Sequence, residues 1–342
     1  MGCRPVRSWW RRGLYGSESS LPSGGLMGTV RTYAVTAATG HVGGHAARAL
    51  LRAGHRVRVM GREAERLKQL EAVGAEIVVG DLADRVHLEE AFTGVDGALL
   101  IVPPFPAASD FVQYQIDIAA GYAAAATASG LRHAVSISVL GANDSRAGAL
   151  IEGHANIEAE LNKAPGLNLV HLQPTSFFEI LYYYLQPLRD ERVLRTPLGT
   201  DARLQLVAAR DVGEVGANLL GELQFRGIST FPLPPLRTIS LREIASLLTE
   251  YHGQEFTAEQ ISAQADIEDL TAAGTGLSFA TLLNETWALA TAMGEMPQTD
   301  PLPQTAAQYR IEDFVRDELV PAIDADRPIA DYSTATRPRR SA

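Results

Sequence analysis

A glycine-containing turn near the start of the chain has the residue types that bind a diphosphate. The segment reads Tyr33-Ala-Val-Thr-Ala-Ala-Thr-Gly-His-Val-Gly-Gly and ends at Gly44, so an apolar stretch precedes the turn and a helical pattern follows it. Gly40 lets the backbone approach a diphosphate, and Gly43 lets the helix pack on the strand. The helix N-terminus offers amide groups and a positive dipole end to the phosphates. The spacing therefore predicts a dinucleotide-binding turn, rather than an ordinary strand–helix turn that binds nothing, with cofactor contacts from Thr36, Ala37, Thr39, Gly40, His41, Val42 and Gly43.

Three further features follow the next strands of the pattern. Arg62 stands 22 positions after Gly40, where an arginine can pair with the 2′-phosphate of NADP, although a surface arginine at a helix start is the alternative. Asp81 can accept from the adenine amino group, or it can form an Asx turn or a helix N-cap. The loop Val102-Pro103-Pro104 is stiff enough to cover a cofactor. We expect NADPH to be preferred over NADH, with contacts from Arg62, Asp81, Leu82, Val102 and Pro103.

These residues need a scaffold in which short apolar strands alternate with helices. From Tyr33 to His171 and just beyond, the sequence has that alternation. Most strand candidates are continuous apolar runs, which is typical of parallel strands covered on both faces. The predicted strands are Tyr33–Thr36, Arg56–Met60, Glu76–Val79, Ala98–Val102, Ala134–Ser138 and Asn168–Gln173. The predicted helices between them are Gly43–Ala53, Glu63–Val73, Val86–Phe92, Phe111–Ser129 and Ala149–Asn162.

The last third of the chain has a different pattern. Ser240 followed by Glu243 predicts a capping box at the start of a helix. This helix is predicted over Ser240–Tyr251. Other helices are predicted over Asp211–Leu220, Ser278–Met293 and Ile311–Val320, with a strand over Phe256–Ile261 and connectors at Pro232–Pro235 and Pro297–Pro303.

The fold class that follows is α/β, a doubly wound parallel sheet of the Rossmann type with a smaller C-terminal α+β substrate lobe. We expect the NAD(P)-binding domain over residues 29–175 and the lobe mostly over 176–328, with some segments returning to the first domain. Residues 1–28 and 329–342 are predicted to be a disordered extension and a disordered tail. The first 28 residues are rich in arginine and poor in acidic residues, so a targeting segment is the alternative reading there.

Composition excludes several kinds of partner. The formal net charge of −10, without a cluster of Lys and Arg in the folded region, argues against nucleic acid. The single cysteine, Cys3, cannot form an intramolecular disulfide, and the histidines lack metal-ligand spacing, so no metal is expected. No apolar run of about 18 residues occurs, so no membrane span is expected. A cytoplasmic location fits these properties.

The motifs together resemble the NmrA-like group of atypical short-chain dehydrogenases, roughly from Thr32 to Leu319. The family motif Thr-Gly-Ala-Thr-Gly-x-x-Gly corresponds to Thr36 through Gly43, with Ala37 in place of the first glycine, and the added methyl is expected to crowd the turn. The segments around Ser138, His154 and Asp211 resemble later family segments. Gln173-Pro174-Thr175 resembles the family's Arg-Pro-x-x-Phe segment beside the nicotinamide, with Gln173 in place of arginine. The resemblance implies that Pro174 and Thr175 contact the cofactor.

The catalytic Tyr–Lys pair of ordinary short-chain dehydrogenases is missing. Counted back from Glu158, the Lys position falls on His154 and the Tyr position on Leu150, which cannot exchange a proton. The remaining candidates for catalysis are Ser138, which could bond a substrate carbonyl, and His154, which could donate a proton or hold the nicotinamide ribose. The alternatives are a strand-end serine bonded to backbone and a structural histidine.

The resemblance implies two main functions. In the first, NADPH donates hydride to a small-molecule acceptor, which is a quinone, a dye or a conjugated carbonyl. Phe177, Phe178 and Tyr183 would hold this acceptor, and the alternative for these aromatic residues is packing between the lobes. In the second, the chain senses NAD(P) without chemistry, as the regulator NmrA does, and passes the signal to a protein partner. A homodimer is possible in either case, and an epimerase ranks last because epimerases keep the Tyr–Lys pair.

Overall fold

The computed structural model describes residues 29–142, 149–293 and 307–325. The predicted extension at 1–28, the predicted tail at 329–342 and the connector Pro297–Pro303 lie outside the described residues. Within these ranges, none of the helices combines the length and apolar character that a bilayer crossing requires.

The described part of the chain contains a seven-stranded sheet in which all neighbouring strands are parallel. The strands are β1 (Thr32–Val35), β2 (Arg56–Gly61), β3 (Glu76–Val79), β4 (Gly97–Leu100), β5 (His133–Ile137), β6 (Asn168–Pro174) and β10 (Ile228–Leu233). Their order is β3-β2-β1-β4-β5-β6-β10. The six predicted strands are thus confirmed, and β10 extends the sheet by one. The order reverses between β1 and β4, which is where doubly wound sheets bind their ligands.

Helices cover both faces of this sheet. The helices are α1 (His41–Arg52), α2 (Ala64–Glu71), α3 (Arg85–Phe92), α4 (Phe111–Ser129), α5 (Ala149–Leu161) and α7 (Ala209–Glu222). The apolar side chains of α1, α2 and α7 share one core cluster, and those of α3, α4 and α5 share another. The predicted doubly wound α/β architecture is confirmed, because the strands are buried from both sides.

The prediction of a connector at Pro232–Pro235 is wrong at its first two residues. Pro232 and Leu233 belong to β10, where they pair with Gln173 and Pro174 of β6. Proline cannot donate a ladder hydrogen bond, and it is tolerated here because β10 is the edge strand, with a partner on one side only.

The smaller lobe contains the four elements predicted for it, here α8, β12, α10 and the last helix, together with shorter elements that the sequence did not predict. In chain order, the elements of the lobe are β7 (Ser176–Phe177), a 3₁₀ helix (Phe178–Tyr184), α6 (Leu185–Asp190), β8 (Val193–Thr196), β9 (Leu204–Val207), β11 (Thr238–Ile239), α8 (Leu241–His252), β12 (Thr257–Gln260), α9 (Ala263–Ala272), α10 (Leu277–Met293) and a last helix in which α11 (Ile311–Phe314) and α12 (Val320–Asp324) flank a π-helical turn. β9 pairs with β7 and β11, and β8 pairs with β12. The predicted capping box is confirmed, since Ser240 Oγ accepts from the Glu243 amide and Glu243 accepts from the Ser240 amide.

A close helix–helix contact joins α7 to α1 at Gly213. A Cβ atom on Gly213 would lie 2.5 Å from the carbonyl oxygen of Val42 and 2.9 Å from the amide nitrogen of Ala46. Only glycine leaves room for this contact, which places the N-terminus of α7 beside the first turn of α1.

We expect Gly213→Ala to lower the free energy of unfolding by about 1–3 kcal/mol, because the added methyl overpacks the α1–α7 contact. Gly221→Ala, on the same helix, is the matched control: a Cβ there meets no atom within 4 Å, so helix propensity predicts a neutral or slightly stabilising effect. Urea unfolding of both variants measures the difference, and equal midpoints would contradict the assignment of Gly213 as a packing glycine.

Candidate functional site

The turn between β1 and α1 has the geometry of a phosphate-binding turn. Ala37 adopts the left-handed conformation with φ of 48°, and the Gly40 amide donates to the Ala37 carbonyl at 3.0 Å. An alanine in this conformation costs about 1 kcal/mol relative to glycine. The turn therefore accommodates the methyl group of Ala37 at the cost of backbone strain, at the position where the family motif has glycine.

Gly43 is the closest point between the turn and the helix. A Cβ atom on Gly43 would lie 2.6 Å from the Ala37 carbonyl oxygen and 2.9 Å from the Ala38 Cα. The N-cap residue of α1, Gly40, supplies no side-chain cap, and the first turn of α1 carries no acidic residue. The amide groups and the dipole at this end of α1 are thus presented to an anion.

The side chains of the turn have different surroundings. Thr36 Oγ1 accepts from the Ile101 amide at 2.8 Å and is fully buried, so this hydroxyl ties β1 to β4. The Thr39 methyl group lies against Gly61, at the end of β2. The rings of His41 and Tyr182 lie 5.9 Å apart, so the turn touches the 3₁₀ helix of the lobe.

Two arginines, Arg48 and Arg210, and one acid, Glu214, lie close enough to His45 on α1 to influence its pKa. The pKa of His45 is lowered first by burial and then by the nearby charges of Arg210, His41 and Arg48. Arg210, at the N-terminus of α7, also stacks on the Tyr309 ring at 4.3 Å. Arg210 was missed by the sequence analysis, because only the α1–α7 contact brings it to the turn.

The residues predicted to hold the adenosine end lie at the carboxyl ends of β2 and β3. Arg62 follows β2 directly and is half-buried, and both Arg62 and Asp81 interact electrostatically with Tyr114 of α4. Burial raises the pKa of Tyr114 to about 12. Asp81 Oδ1 accepts from the Ala83 amide at 2.9 Å, which is the Asx-turn alternative, and Asp84 rather than Asp81 caps α3.

The covering segments near this end are held in place by packing. Leu82 and Val102 are buried, and Pro103 is half-buried in the loop that follows β4. The Phe105 ring of the same loop lies 5.5 Å from the Tyr114 ring, and the Pro106 carbonyl accepts from the Gly276 amide at 2.7 Å. The loop is thereby attached to both α4 and the lobe, while its contact with a cofactor stays a prediction.

A buried polar cluster lies at the carboxyl ends of β5 and β6. Ser138 Oγ donates to Glu158 Oε1 at 2.6 Å, and Gln173 Nε2 donates to the same oxygen at 2.8 Å. The hydroxyl proton that Ser138 would offer to a substrate carbonyl is used by Glu158. Ser138 therefore fits the alternative of a structural serine at a strand end, although it bonds to the side chain of Glu158 and not to the backbone, as that alternative predicted.

His154 lies on α5, one turn before Glu158. Burial lowers its pKa to about 4, so the imidazole is neutral near pH 7 and cannot supply the proton of a charged ring. Leu150, one turn earlier, packs against the apolar core of the lobe. The position of the missing tyrosine is thus filled by a packing residue.

The aromatic residues after β6 are mainly packing residues. Phe178 is 4% exposed, lies 5.3 Å from the Phe314 ring and borders a lobe cavity of about 230 Å³. The Tyr183 ring lies 5.8 Å from that of Phe279, and Phe177 packs partly buried against the sheet-side core. These contacts fit the packing alternative, and contact of the three residues with a substrate stays a prediction.

Glu179 is a half-buried acid that the sequence analysis missed. Its carboxyl group accepts from the Ala209 amide at 3.1 Å, which joins the lobe to the N-terminus of α7. Burial raises the pKa of Glu179 to about 8, and the charges of Glu318 and Asp211 add to the shift. Asp211 in turn accepts from the Gln308 and Tyr309 amides at 2.8 Å each, so it anchors the last described segment on α7.

The strand order of the sheet, the glycine-containing turn and the N-terminus of α1, which has no side-chain cap, define a doubly wound protein with a dinucleotide-type turn. The described residues contain no group of three or more His, Cys, Asp or Glu that could hold a metal ion. Residues 29–312 match the NmrA-like family model, and the chain belongs to this family.

Several characterised proteins are similar to this chain. An NAD(P)H azoreductase of Xenophilus azovorans is 25% identical over 256 residues, which are 75% of this chain and 86% of the relative. A (4-alkanoyl-5-oxo-2,5-dihydrofuran-3-yl)methyl phosphate reductase of Streptomyces griseus is 29% identical over 68% of this chain and 77% of the relative. The triphenylmethane reductase of Citrobacter sp., whose structure has also been solved with NADP(H), has 21% identity and a TM-score of 0.71, covering 84% of this chain and 99% of that protein.

We expect Glu179→Gln to change the pH dependence of stability. The unfolded glutamate loses its proton near pH 4.5 but the folded one near pH 8, so wild-type stability falls as the pH rises between these values. Glutamine can still accept from the Ala209 amide and has no charge to bury. The variant should match wild type near pH 4.5 and exceed it by about 1–2 kcal/mol at pH 8. Urea unfolding of wild type and variant from pH 4.5 to 8.5 measures the difference. If the two stabilities changed in parallel over this range, the carboxyl group of Glu179 would not be protonated in the folded protein.

Proposed function

We propose that this chain is an NAD(P)H-dependent oxidoreductase that prefers NADPH and transfers hydride to a quinone, a dye or a conjugated carbonyl. The observation that carries the proposal is the approach of Gly43 to the Ala37 carbonyl, where a Cβ would lie at 2.6 Å, next to a helix N-terminus without a side-chain cap. A turn this close to its helix brings the backbone amides to a diphosphate.

The charges around the turn support an anionic cofactor. Arg210 and Arg48 stand near His45 in the first turns of α1, although the whole chain carries a net charge of −10. Arg62 at the end of β2 is half-buried and is the residue that would pair with a 2′-phosphate. Positive charge concentrated at one site of an acidic protein favours the fully phosphorylated dinucleotide, NADPH.

The residues on α5 and at the carboxyl end of β5 favour direct hydride transfer. When bound, NADPH supplies a hydride, and the protein must orient the acceptor and exclude water. Leu150 is apolar, His154 is neutral and the Ser138 proton is donated to Glu158, so these three residues supply no strong acid. An acceptor such as a quinone or a dye tolerates this arrangement, since it can take its proton from solvent after the hydride.

The relatives agree with this class of reaction. Their names describe reduction of an azo compound, of a triphenylmethane dye and of an unsaturated furanone phosphate. All three acceptors are conjugated and electron-poor, which is the property that the proposed hydride transfer requires. We propose that the acceptor of this chain is also a conjugated, electron-poor compound.

We expect Arg62→Ala to raise the Kd of NADPH about ten- to a hundredfold and to change the Kd of NADH less than threefold, because only NADPH carries the 2′-phosphate. Arg52→Ala is the control: Arg52 is exposed at the opposite end of α1, where it pairs with Glu214. Titration by nicotinamide fluorescence measures the six dissociation constants, two for wild type and two for each variant. Equal weakening of both nucleotides by Arg62→Ala would refute the 2′-phosphate assignment.

Turnover tests the catalytic half of the proposal. NADPH oxidation at 340 nm should be detectable with at least one acceptor in a panel of quinones, azo dyes, triphenylmethane dyes and enones. NADPH binding without turnover on any of them would instead favour the nucleotide-sensing function, in which occupancy of the turn controls a protein partner.

A further inference from the structure

A cavity of about 230 Å³ in the lobe has an apolar interior. Its lining includes Phe178, Leu206, Ile239 and Ile311, each of which is at most 4% exposed. Leu236 lines the same cavity but is 48% exposed, so it lies where the cavity meets solvent. We call this space the lobe cavity. Apolar side chains around an open space lack the contacts of a close-packed core, and an apolar ligand group would supply them.

The charged residues that line the lobe cavity are two arginines and one glutamate, namely Arg237, Arg310 and Glu312. Arg237 donates to Glu312 Oε1 from Nε at 3.1 Å and from Nη2 at 2.9 Å, and it also pairs with Glu243. Glu243 pairs with Arg203 as well. Three arginines therefore share two glutamates, which leaves one positive charge in excess within this group. A ligand group with a single negative charge would balance it.

Arg310 is the arginine with donors to spare for a ligand. Its Nε donates to Glu312 Oε2 at 3.3 Å, and no hydrogen bond within the described residues uses its Nη1 or Nη2. The Arg310 side chain is 65% exposed, so a ligand that enters from solvent can reach it. Two neighbouring N–H groups of a guanidinium match the two oxygens of a carboxylate, which can accept from both at once.

The volume of the lobe cavity limits the size of the ligand. An apolar cavity of roughly 150 Å³ holds one benzene molecule, which has six carbon atoms. By proportion, a cavity of about 230 Å³ holds roughly nine non-hydrogen atoms. Benzoate has this number of atoms, with a ring for the apolar interior and one carboxylate for the guanidinium of Arg310. A molecule of the size of a dinucleotide does not fit.

The lobe cavity lies on the α7 side of the sheet, whereas the residues predicted for catalysis belong to β5 and α5. Tyr309 lines the cavity, and its amide donates to Asp211 Oδ2 at 2.8 Å at the start of α7. The apolar side chains of α7 belong to the same core cluster as those of α1, while those of α5, which carries His154, belong to the cluster on the opposite face. Of the three residues predicted to hold an acceptor, only Phe178 lines this cavity. The lobe cavity is therefore a second site.

We propose that the lobe cavity binds a small apolar monocarboxylate of about the size of benzoate. The apolar part of this ligand packs against Phe178, Leu206 and Ile311, and its carboxylate accepts from Nη1 and Nη2 of Arg310. The proposal goes beyond the proposed function and does not require a nucleotide, because residues 36–43 of the α1 turn do not line the cavity.

Calorimetric titration of the full chain with benzoate and with benzamide, which has the same size but no charge, tests the proposal. We expect wild type to bind benzoate with a Kd of about 0.1–1 mM and benzamide at least fivefold more weakly. Arg310→Met keeps an apolar stem and removes the guanidinium, so it should raise the Kd of benzoate at least fivefold and leave that of benzamide within twofold. Arg316→Met is the matched control, because Arg316 is exposed, pairs with Asp313 and does not line the cavity. It removes the same charge and should change neither constant more than twofold.

Leu236→Trp provides a second variant, at an exposed position where the fold tolerates a larger side chain. It narrows the mouth of the lobe cavity and should raise the Kd of both compounds at least fivefold. The proposal is overturned if wild type binds neither compound, if it binds benzamide as tightly as benzoate, or if Arg310→Met and Arg316→Met weaken benzoate equally. Displacement of benzoate by NADPH would also overturn it, because benzoate would then occupy the α1 turn. If NADPH does not bind at all, the proposed function fails, whereas the selective effect of Arg310→Met on benzoate still supports the lobe cavity.

Discussion

The structure depends on two backbone contacts that exclude any side chain, one at Gly43 and one at Gly213. At Gly43 the first turn of α1 lies so close to the β1 turn that a Cβ would come within 2.6 Å of the Ala37 carbonyl. At Gly213, α7 approaches the same turn of α1 from the other side, within 2.5 Å of where a Cβ would be. These contacts fix where the N-terminus of α1 points and bring Arg210 to it. The left-handed Ala37 shows that the turn keeps this shape even at the cost of about 1 kcal/mol of strain.

The two ends of the candidate site differ in charge. The α1 end carries Arg48 and Arg210, with the acidic Glu214 nearby, whereas the β5–β6 end has neutral side chains beside a buried Glu158 that is already bonded. A dinucleotide has the same asymmetry, with its charge on the phosphates and a neutral nicotinamide riboside. This difference in charge agrees with the proposed dinucleotide, and in that proposal the acceptor meets the nicotinamide where no strong acid is present.

The lobe is joined to the sheet by polar contacts as well as by apolar packing. Glu179 and Asp211 bind backbone amides at the N-terminus of α7 and in the segment before α11, while Tyr182 touches His41. Several strands of the lobe pair only with each other. A pattern with a period of two or 3.6 residues is not visible in elements as short as β7, β11 and α6, which explains why these three were not predicted; β8, β9 and α9 were missed as well.

The sequence by itself determined six of the seven strands of the parallel sheet, the helices between them and the dinucleotide-type turn, because each is a local requirement. A parallel strand buried on both faces needs an apolar run, and a turn against a helix needs glycine at the point of contact. Tertiary structure alone decided which polar atoms have partners: Ser138 with Glu158, Glu179 with Ala209 and, within the described residues, none for Gln115 Oε1, His154 Nδ1 and Thr175 Oγ1. It also placed the proline-containing β10 at the sheet edge and Arg210 beside α1. Burial, hydrogen bonding and pKa depend on residues far apart in the chain, so one sequence without its fold does not reveal them.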